Sequence, residues 1–248
     1  MDILGVILAG GLGKRLEPLT CVTNKHLLPV YDRPMIQYPL AKMSEAGLSD
    51  VMIVCGETSR VDFERLLGDG SRFGLKKLEY TTQLGEDGIA AALALAEEYA
   101  DGRKVCVVLG DNLFEDNLKP EVDKYMAQPD GARILLKEVP DPQRFGVPAI
   151  NDGKIIRIDE KPQSPASKYA VVGIYFYDNK VFDIIRTLEP SARGEYEITD
   201  VSNAYINDNS LTYGILEGWW SDCGTFESLY RASRLVRDHR RSQNGGAF

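Results

Sequence analysis

The chain has few of the residues that build zinc centres, disulfide frameworks and histidine-dependent active sites. It contains two histidines and four cysteines, and no two of the cysteines form a C-x-x-C pair. Zinc sites draw on clustered Cys and His ligands, so we expect no zinc centre, and we interpret the thiols as reduced and structural. A divalent cation would instead need carboxylate ligands, which points to magnesium.

An excess of positive charge and long apolar runs are also missing. The 37 acidic and 29 basic side chains give a formal charge of −8, which disfavours general binding to nucleic acids or membrane surfaces, since both need a basic face. The apolar run at residues 3–9 is too short to cross a bilayer, and Asp2 precedes it where a signal peptide carries Lys or Arg. We therefore predict a cytoplasmic protein without nucleic-acid or membrane partners, in which a local cluster of cations meets any anionic ligand.

Continuous apolar runs alternate with helical patterns in the first 110 residues. The runs end near glycine or polar residues, as buried parallel strands do, and the alternation predicts a doubly wound α/β half. Ligands of such folds bind at the carboxyl ends of the strands. The predicted strands are 3–9, 51–55 and 105–109, and the predicted helices are 35–46, 60–67 and 88–99.

After residue 111 the alternation loosens and strands become more frequent. Neither a linker composition nor an internal repeat interrupts the chain, so we predict one continuous mixed α/β domain over residues 1–241. The Gly-rich residues 242–248 predict a disordered tail. The predicted strands are 134–139, 147–150, 154–158, 169–177 and 211–216, and the predicted helices are 180–188, 197–207 and 225–241.

A glycine-rich segment follows the first predicted strand. Residues 8–16, LAGGLGKRL, place three glycines at the strand end, with Lys14 and Arg15 after them. Glycines there let backbone N–H groups approach phosphates, and the two cations would offset the phosphate charge. The spacing is neither G-x-G-x-x-G nor G-x-x-x-x-G-K-[ST], so the dinucleotide and P-loop fingerprints both fail. A tight glycine turn with exposed cations is the alternative.

Two carboxylates that are distant in the sequence are candidates for a metal site. Asp111 follows the third apolar run, and Asp222 precedes the last predicted helix. If they met beside a phosphate-binding loop, they would hold one hard cation and leave positions for phosphate oxygens and water. An Asx turn at Asp111 and a helix N-cap at Asp222 are the alternatives from the residues alone.

Seven collinear motifs resemble those of the sugar-1-phosphate nucleotidylyltransferases, and the similarity is greatest to the thymidylyltransferase members. Each motif alone is weak, but their common order from about residue 3 to residue 230 makes the resemblance specific. The motifs are GGxGxRLxPLT at 10–20, KHLLPVYDxPMI at 25–36, LGDN at 109–112, RFGV at 144–147, EKP at 160–162, GEYEITD at 194–200 and WxDxGT at 220–225.

The resemblance implies a Rossmann-like nucleotide-diphospho-sugar transferase fold on a single mixed sheet. Residues 1–112 would bind the nucleotide and residues 113–230 the sugar. The implied catalytic residues are Arg15, Lys25, Asp111 and Asp222, of which the two Asp side chains would hold Mg²⁺. The implied nucleotide-binding residues are Leu8, Gly10, Gly11, Gly13, Lys14, Arg15, Gln83, Gly88 and Asp111. The implied sugar-phosphate-binding residues are Gly146, Glu160, Lys161, Val172, Gly173 and Arg193.

The implied activity is transfer of a nucleotidyl group from dTTP to a sugar 1-phosphate, with glucose 1-phosphate as the first expectation, and release of pyrophosphate. The attacking phosphate is ionised at neutral pH, so the reaction needs no general base, which agrees with the scarcity of histidine. One alternative is a uridylyltransferase that uses UTP. Another is a catalytically silent nucleotide-sugar sensor on the same fold, which the retained candidate catalytic residues disfavour.

The chain departs from the family pattern at several positions. Lys14 stands where the family often has Thr or Ser, while Ala91 and Cys223 stand where thymidylyltransferases commonly have Gln and Thr. Long bacterial members carry additional C-terminal helices that form a second, regulatory nucleotide site, and we do not expect that site here. Long members also assemble as tetramers, so we expect a homo-oligomer, with a monomer as the alternative.

Overall fold

The first apolar run forms a central strand of a mixed sheet. Strand β1 (Ile3–Ala9) is buried at every position and pairs in parallel with a strand on each side. Its side chains enter the two main hydrophobic cores in turn, with Ile3 and Ile7 on one face and Leu4 and Val6 on the other. A strand buried on both faces explains the continuous run of apolar residues.

The structure is a computed structural model that describes residues 3–243. After β1, the strands are β2 (Pro29–Val30), β3 (Arg33–Pro34), β4 (Asp50–Gly56), β5 (Lys77–Gln83), β6 (Lys104–Leu109), β7 (Asn112–Phe114), β8 (Ala132–Glu138), β9 (Gly146–Asn151), β10 (Lys154–Glu160), β11 (Tyr169–Tyr177), β12 (Leu211–Ile215) and β13 (Trp220–Asp222). The helices are α1 (Gln37–Glu45), α2 (Arg60–Leu67), α3 (Ile89–Ala94), α4 (Glu97–Ala100), α5 (Lys119–Ala127), α6 (Lys180–Arg186), α7 (Ile198–Asn207) and α8 (Phe226–Gln243).

One sheet connects the two halves of the chain. Within residues 3–243 its nine strands follow the order β10-β9-β11-β6-β1-β4-β5, and β8 pairs with β11 on one side and with β12 on the other. Strands β6, β1, β4 and β5 are mutually parallel, and β11 runs antiparallel to β6. The predicted single mixed-sheet α/β fold is thereby confirmed, and the parallel strands direct their carboxyl ends to one edge.

Two further pairs of short strands lie beside the main sheet. Strand β2 pairs with β3, and β7 pairs antiparallel with β13. Helix α8 covers them with Ala232 and Val236, which join a small core with Val30 and Met35. The C-terminal helix therefore packs onto the segment that contains the second candidate carboxylate, Asp222.

Several elements differ from the sequence predictions. Strand β5, helix α5 and the β2–β3 hairpin were not expected, and the predicted helix over 88–99 is divided into α3 and α4. β5 lies at a sheet edge and most of its residues are half-buried, so it has no continuous apolar run. Ser242 and Gln243 belong to α8 rather than to a disordered tail, and the rest of that predicted tail, 244–248, lies outside the described residues.

No helix among residues 3–243 has both the length and the hydropathy that crossing a bilayer requires.

Candidate active site

A cavity of about 300 Å³, called here the first cavity, lies at the carboxyl ends of β1, β5 and β6. These strand ends expose backbone groups and the loops that follow them, which is where open parallel sheets bind ligands. Eight residues that the sequence predicted for nucleotide binding or catalysis line it, namely Leu8, Gly10, Gly11, Arg15, Lys25, Gln83, Gly88 and Asp111.

The glycine-rich loop is shaped by close approaches that a side chain would prevent. A Cβ atom at Gly10 would lie 2.5 Å from Oε1 of Gln83, so the Gln83 amide packs directly on the loop backbone. Gly13 has a φ of 69° in the left-handed region, and a Cβ there would lie 2.9 Å from Cβ of Lys25. The glycines thus bring Gln83 and Lys25 against the loop.

Asp111 lines the first cavity and is paired with Lys25. Lys25 Nζ is 2.6 Å from Asp111 Oδ2, and Asn112 Nδ2 donates to Asp111 Oδ1 at 2.9 Å. Burial alone would raise the pKa of Asp111, but the Lys25 charge and these hydrogen bonds outweigh burial and hold the pKa well below its usual range. The carboxylate is therefore ionised and able to bind a cation.

His26 is a buried neutral imidazole in the wall of the first cavity, and sequence reasoning gave it no role. Burial, assisted by the charge of Lys25, lowers the pKa of His26 to about 3. Asn24 Nδ2 donates to the carbonyl oxygen of Ala9, so Asn24 Oδ1 is the acceptor for His26 Nδ1, which lies 2.8 Å away. The proton of the neutral ring is accordingly assigned to Nδ1.

The pairing of β7 with β13 brings the second carboxylate to the first. Asp222 is the register partner of Asn112, the residue after Asp111. The backbone N–H of Cys223 donates to the carbonyl oxygen of Asp111 at 2.9 Å. Asp111 and Asp222 both line a second, larger cavity, so the fold brings together the two carboxylates that the sequence predicted for a metal.

Asp222 is only partly satisfied by its neighbours. Its Oδ2 accepts hydrogen bonds from Arg144 Nη2 at 3.3 Å and from the backbone N–H of Gly224 at 3.2 Å. Its Oδ1 is buried and accepts no hydrogen bond from residues 3–243, although Arg231 Nη2 lies 3.6 Å away. A buried carboxylate oxygen without a hydrogen bond is costly unless another ligand satisfies it.

These observations fit a hard divalent cation. The donors are carboxylate oxygens, the pKa of Asp111 keeps that side chain charged, and one oxygen of Asp222 lacks a hydrogen bond. No cluster of three or more Asp, Glu, His or Cys side chains with metal-binding geometry occurs within the described part of the chain. A cation here would take its remaining ligands from water or substrate oxygens, which is typical of Mg²⁺.

The second cavity has a volume of about 510 Å³ and adjoins the first. The two share Arg15, Ile89, Leu109, Asp111 and Glu195 among their lining residues. Two ligands bound in these cavities would therefore meet at Arg15 and Asp111. Five of the six predicted sugar-phosphate residues line the second cavity, namely Gly146, Glu160, Lys161, Gly173 and Arg193.

The Val172 side chain does not line the second cavity, and a role of this residue in sugar binding stays a prediction. Val172 is fully buried and packs in a hydrophobic core with Ile174 and Phe176. Side chains alternate between the faces along a strand, so its neighbours Val171 and Gly173 line the cavity instead.

Carboxylates surround the cations of the second cavity. Arg193 Nη2 lies 2.7 Å from both carboxylate oxygens of Glu197 and 3.5 Å from Glu160 Oε1. Glu160 Oε2 also accepts a hydrogen bond from Thr199 Oγ1 at 2.6 Å. Hydrogen bonds and ion pairs therefore hold the polar side chains around Arg193 in place along one wall of the second cavity.

Two residues predicted for nucleotide binding lie outside the cavity linings. Gly13 acts through the loop shape, and Lys14 Nζ lies 2.6 Å from Glu86 Oε2 with its side chain 68% exposed. The Leu12 N–H also donates to Glu86, at 3.4 Å. Glu86, a residue of the first cavity that the sequence did not indicate, thus links the glycine-rich loop to the segment after β5 and holds the Lys14 side chain in an ion pair.

Two further cavity residues, Arg144 and Asn112, lie in recognised motifs but received no role from the sequence. Arg144, in RFGV, lies 2.8 Å from Asp141 and 3.3 Å from Asp222. Asn112, in LGDN, accepts hydrogen bonds from Trp220 Nε1 at 2.8 Å and from the Gly173 N–H at 3.2 Å. The motifs were the available signal, because these contacts join segments that are far apart in the sequence.

The chain is similar to several known proteins. The nucleotidyl transferase family model matches residues 4–239. The glucose-1-phosphate thymidylyltransferase of Neisseria meningitidis serogroup A is 44% identical over 97% of this chain and 84% of its own. The enzyme of the same name from Mycolicibacterium smegmatis is 43% identical over 94% of this chain and 82% of its own.

Solved structures show the same fold. A Bacillus anthracis protein described as a glucose-1-phosphate thymidylyltransferase, in complex with a sucrose, has a TM-score of 0.91 and 49% identity, covering 95% of this chain and 96% of its own. A UDP-glucose pyrophosphorylase complexed with UDP-glucose has a TM-score of 0.84 and 25% identity, covering 97% of this chain and 100% of its own. This chain belongs to the nucleotidyl transferase family, and the resemblance drawn from its motifs is confirmed.

Proposed function

We propose that this chain transfers a thymidylyl group from dTTP to glucose 1-phosphate, or to a close sugar 1-phosphate, and releases pyrophosphate. The observation that carries the proposal is the meeting of the two cavities at Arg15 and Asp111. The first cavity has a glycine-rich loop with cations, and the second has polar walls suited to sugar hydroxyls. Relatives named glucose-1-phosphate thymidylyltransferase support the choice of substrates.

The reaction needs alignment and charge neutralisation rather than an enzyme nucleophile. A sugar-phosphate oxygen forms a bond to the α-phosphorus of dTTP, the bond from that phosphorus to the bridging oxygen breaks, and pyrophosphate leaves with the electron pair. The attacking oxygen is already ionised, so no general base is required. Arg15 lines both cavities and would offset charge that builds up between the two substrates.

Asp111 and Asp222 would hold Mg²⁺, which supplies neutralisation and orientation of the phosphates when bound. Lys25 contacts Asp111 at 2.6 Å, and its Nζ would lie 3.5 Å from a Cβ atom at Gly11. Lys25 is thereby suited to two roles: it keeps Asp111 ionised, and it presents positive charge to phosphates on the glycine-rich loop.

We also propose that the two parts of the chain on this single sheet bind different substrates. Apart from Glu195, the residues that line the first cavity fall within 8–111, and most of those that line the second fall within 144–222. This supports a nucleotide side in residues 1–112 and a sugar side in residues 113–230. Glu160, Lys161 and Arg193 would bind the sugar phosphate and hydroxyls on that second side.

A uridylyltransferase is the second candidate, because the structure of a UDP-glucose pyrophosphorylase complexed with UDP-glucose has the same fold at 25% identity. The Gln83 amide can pair with thymine or uracil, which differ only by the ring methyl group. We favour dTTP because the thymidylyltransferase relatives are 42–44% identical.

Pyrophosphate release tests the proposal when dTTP, UTP, CTP, ATP and GTP are each combined with glucose 1-phosphate and other sugar 1-phosphates. We expect the highest kcat/KM for dTTP with glucose 1-phosphate in the presence of Mg²⁺. A higher value for UTP would favour the uridylyltransferase. Absence of release from every pair would contradict the enzymatic proposal and favour a nucleotide-sugar sensor.

A further inference from the structure

Two arginines contact Asp222, and they do so at different carboxylate oxygens. Arg144 Nη2 donates to Oδ2 at 3.3 Å, while Arg231 Nη2 from α8 lies 3.6 Å from Oδ1. The Asp222 side chain is 11% exposed. Two guanidinium groups therefore neutralise a nearly buried carboxylate that the proposed function assigns to a cation.

The two arginines differ in their access to the second cavity. Arg144 lines that cavity and Arg231 does not. The Arg144 guanidinium lies 5.0 Å from the ring centroid of Phe145, and the Lys161 N–H donates to the Phe145 carbonyl oxygen at 3.0 Å. The segment that carries Arg144 therefore adjoins Lys161, one of the residues predicted to contact the sugar phosphate.

Three cations of the second cavity each have a carboxylate partner in the free protein. Arg193 is paired with Glu197 at 2.7 Å, Lys161 lies 3.6 Å from Glu160, and Arg144 lies 3.3 Å from Asp222. Among these three carboxylates, only that of Asp222 has a proposed role as a metal ligand. Of these three cations, only Arg144 would therefore lose its carboxylate partner, Asp222, when a divalent cation binds.

We propose that Arg144 exchanges partners during the reaction cycle. It pairs with Asp222 in the free protein and binds the phosphate of the sugar 1-phosphate once Asp222 serves a divalent cation. The proposal rests on the proposed function, through the assignment of Asp222 as a metal ligand. Only Nη2 needs to change partner, because Nη1 is held by Asp141 at 2.8 Å. A guanidinium group suits this exchange, since its forked donors bind carboxylates and phosphates in similar geometry.

The exchange can be tested without turnover by calorimetric titration of glucose 1-phosphate in EDTA, with no nucleotide present. Four proteins are compared: wild type, Arg144→Gln, Asp222→Asn and the double variant. In the wild-type background Arg144 is occupied by Asp222, so we expect Arg144→Gln to weaken binding less than about twofold. In the Asp222→Asn background Arg144 is released, and we expect the same change to weaken binding about tenfold.

The double-mutant cycle separates this coupling from a general effect of charge. Equal losses in the two backgrounds, or no measurable binding to Asp222→Asn, would overturn the proposal. Arg231→Gln, introduced into the same two backgrounds, is the matched control, because Arg231 also approaches Asp222 but does not line the cavity. We expect Arg231→Gln to change the affinity for glucose 1-phosphate equally in the wild-type and Asp222→Asn backgrounds. If its effect depended on Asp222 as strongly as that of Arg144→Gln, the assignment of the exchange to Arg144 would be overturned.

Two further measurements serve as controls. Arg144→Lys keeps the positive charge, so in the Asp222→Asn background it should retain most of the affinity for glucose 1-phosphate that Arg144→Gln loses. Thermal unfolding shows whether each variant is folded. Failure of the proposed function would be seen separately, as absence of pyrophosphate release by the wild-type protein. Failure of the exchange would leave that release intact.

Discussion

At the scale of single residues, the site depends on charges that close neighbours hold in place. Lys25 keeps the pKa of Asp111 low and contacts its carboxylate at 2.6 Å.

Replacing Asp111 by Asn removes one ligand charge but little volume. We expect Asp111→Asn to lower kcat about 100-fold or more, because charge stabilisation at the reacting phosphates is lost. Steady-state kinetics measures this, with Asp130→Asn, an exposed carboxylate outside both cavities, as the unaffected control. An unchanged kcat for Asp111→Asn would show that the metal assignment is wrong.

His26 gives the protein a dependence of stability on pH. Burial, with the charge of Lys25, lowers the pKa of His26 from its ordinary value of 6.5 to about 3. Between these values the unfolded chain binds a proton that the folded protein does not, so stability falls as the pH drops below 6.5 and is unaffected above it. The expected loss at pH 5 is about 2 kcal/mol.

Urea unfolding at about pH 7.5 and pH 5 measures this loss in the wild type and in His26→Gln. The variant carries no titrating imidazole, so its stability should decline less over the same range. Equal declines in the two proteins would show that His26 is not the group responsible. Sequence reasoning could not assign this role, because nothing in the KHLLPV segment indicates that its histidine is buried.

At the scale of elements, the short β7–β13 pair determines where Asp222 lies. Asn112 on β7 accepts a hydrogen bond from Trp220 Nε1 on β13 at 2.8 Å and another from the Gly173 N–H on β11. We expect Trp220→Phe to cost about 1–3 kcal/mol of folding free energy, because a buried hydrogen bond is lost. It should also lower turnover by loosening the strand that carries Asp222.

The adjacent Trp219 provides a matched control for that prediction. Its Nε1 is also buried, but it has no hydrogen-bond partner within residues 3–243. Trp219→Phe removes a similar ring nitrogen without breaking a hydrogen bond, so we expect a smaller loss in urea unfolding and unchanged turnover. Equal losses for the two variants would mean that the Trp220 hydrogen bond does not stabilise this strand pair.

The same scale explains which elements could be predicted from the sequence. The central strands were predicted within one residue at each end, because burial on both faces leaves continuous apolar runs such as Ile3–Ala9. Strands β7 and β13 have three residues each, and their pairing depends on a contact between distant segments. Edge strand β5 is mostly half-buried and mixes polar with apolar residues, so no clear period marks it.

At the scale of the whole molecule, a net charge of −8 coexists with a local concentration of cations. Arg15, Lys25, Arg144, Lys161 and Arg193 line the two adjoining cavities. The sequence predicted four of them from motif resemblance. It could not predict that Arg144 contacts Asp222, because residues 144 and 222 come together only when α8, β13 and the segment before β9 have packed. The sequence also could not show that the Val172 side chain is buried outside the second cavity, since neighbouring residues on a strand face opposite sides.

In the proposed reaction, the two cavities bring dTTP and glucose 1-phosphate together for transfer at the α-phosphorus. The most direct test follows a label on the α-phosphate of dTTP in a reaction with glucose 1-phosphate and Mg²⁺. We expect the label to appear in dTDP-glucose in an amount equal to the pyrophosphate released. Label that stays in dTTP, or that appears in dTMP without a sugar product, would contradict the proposed reaction.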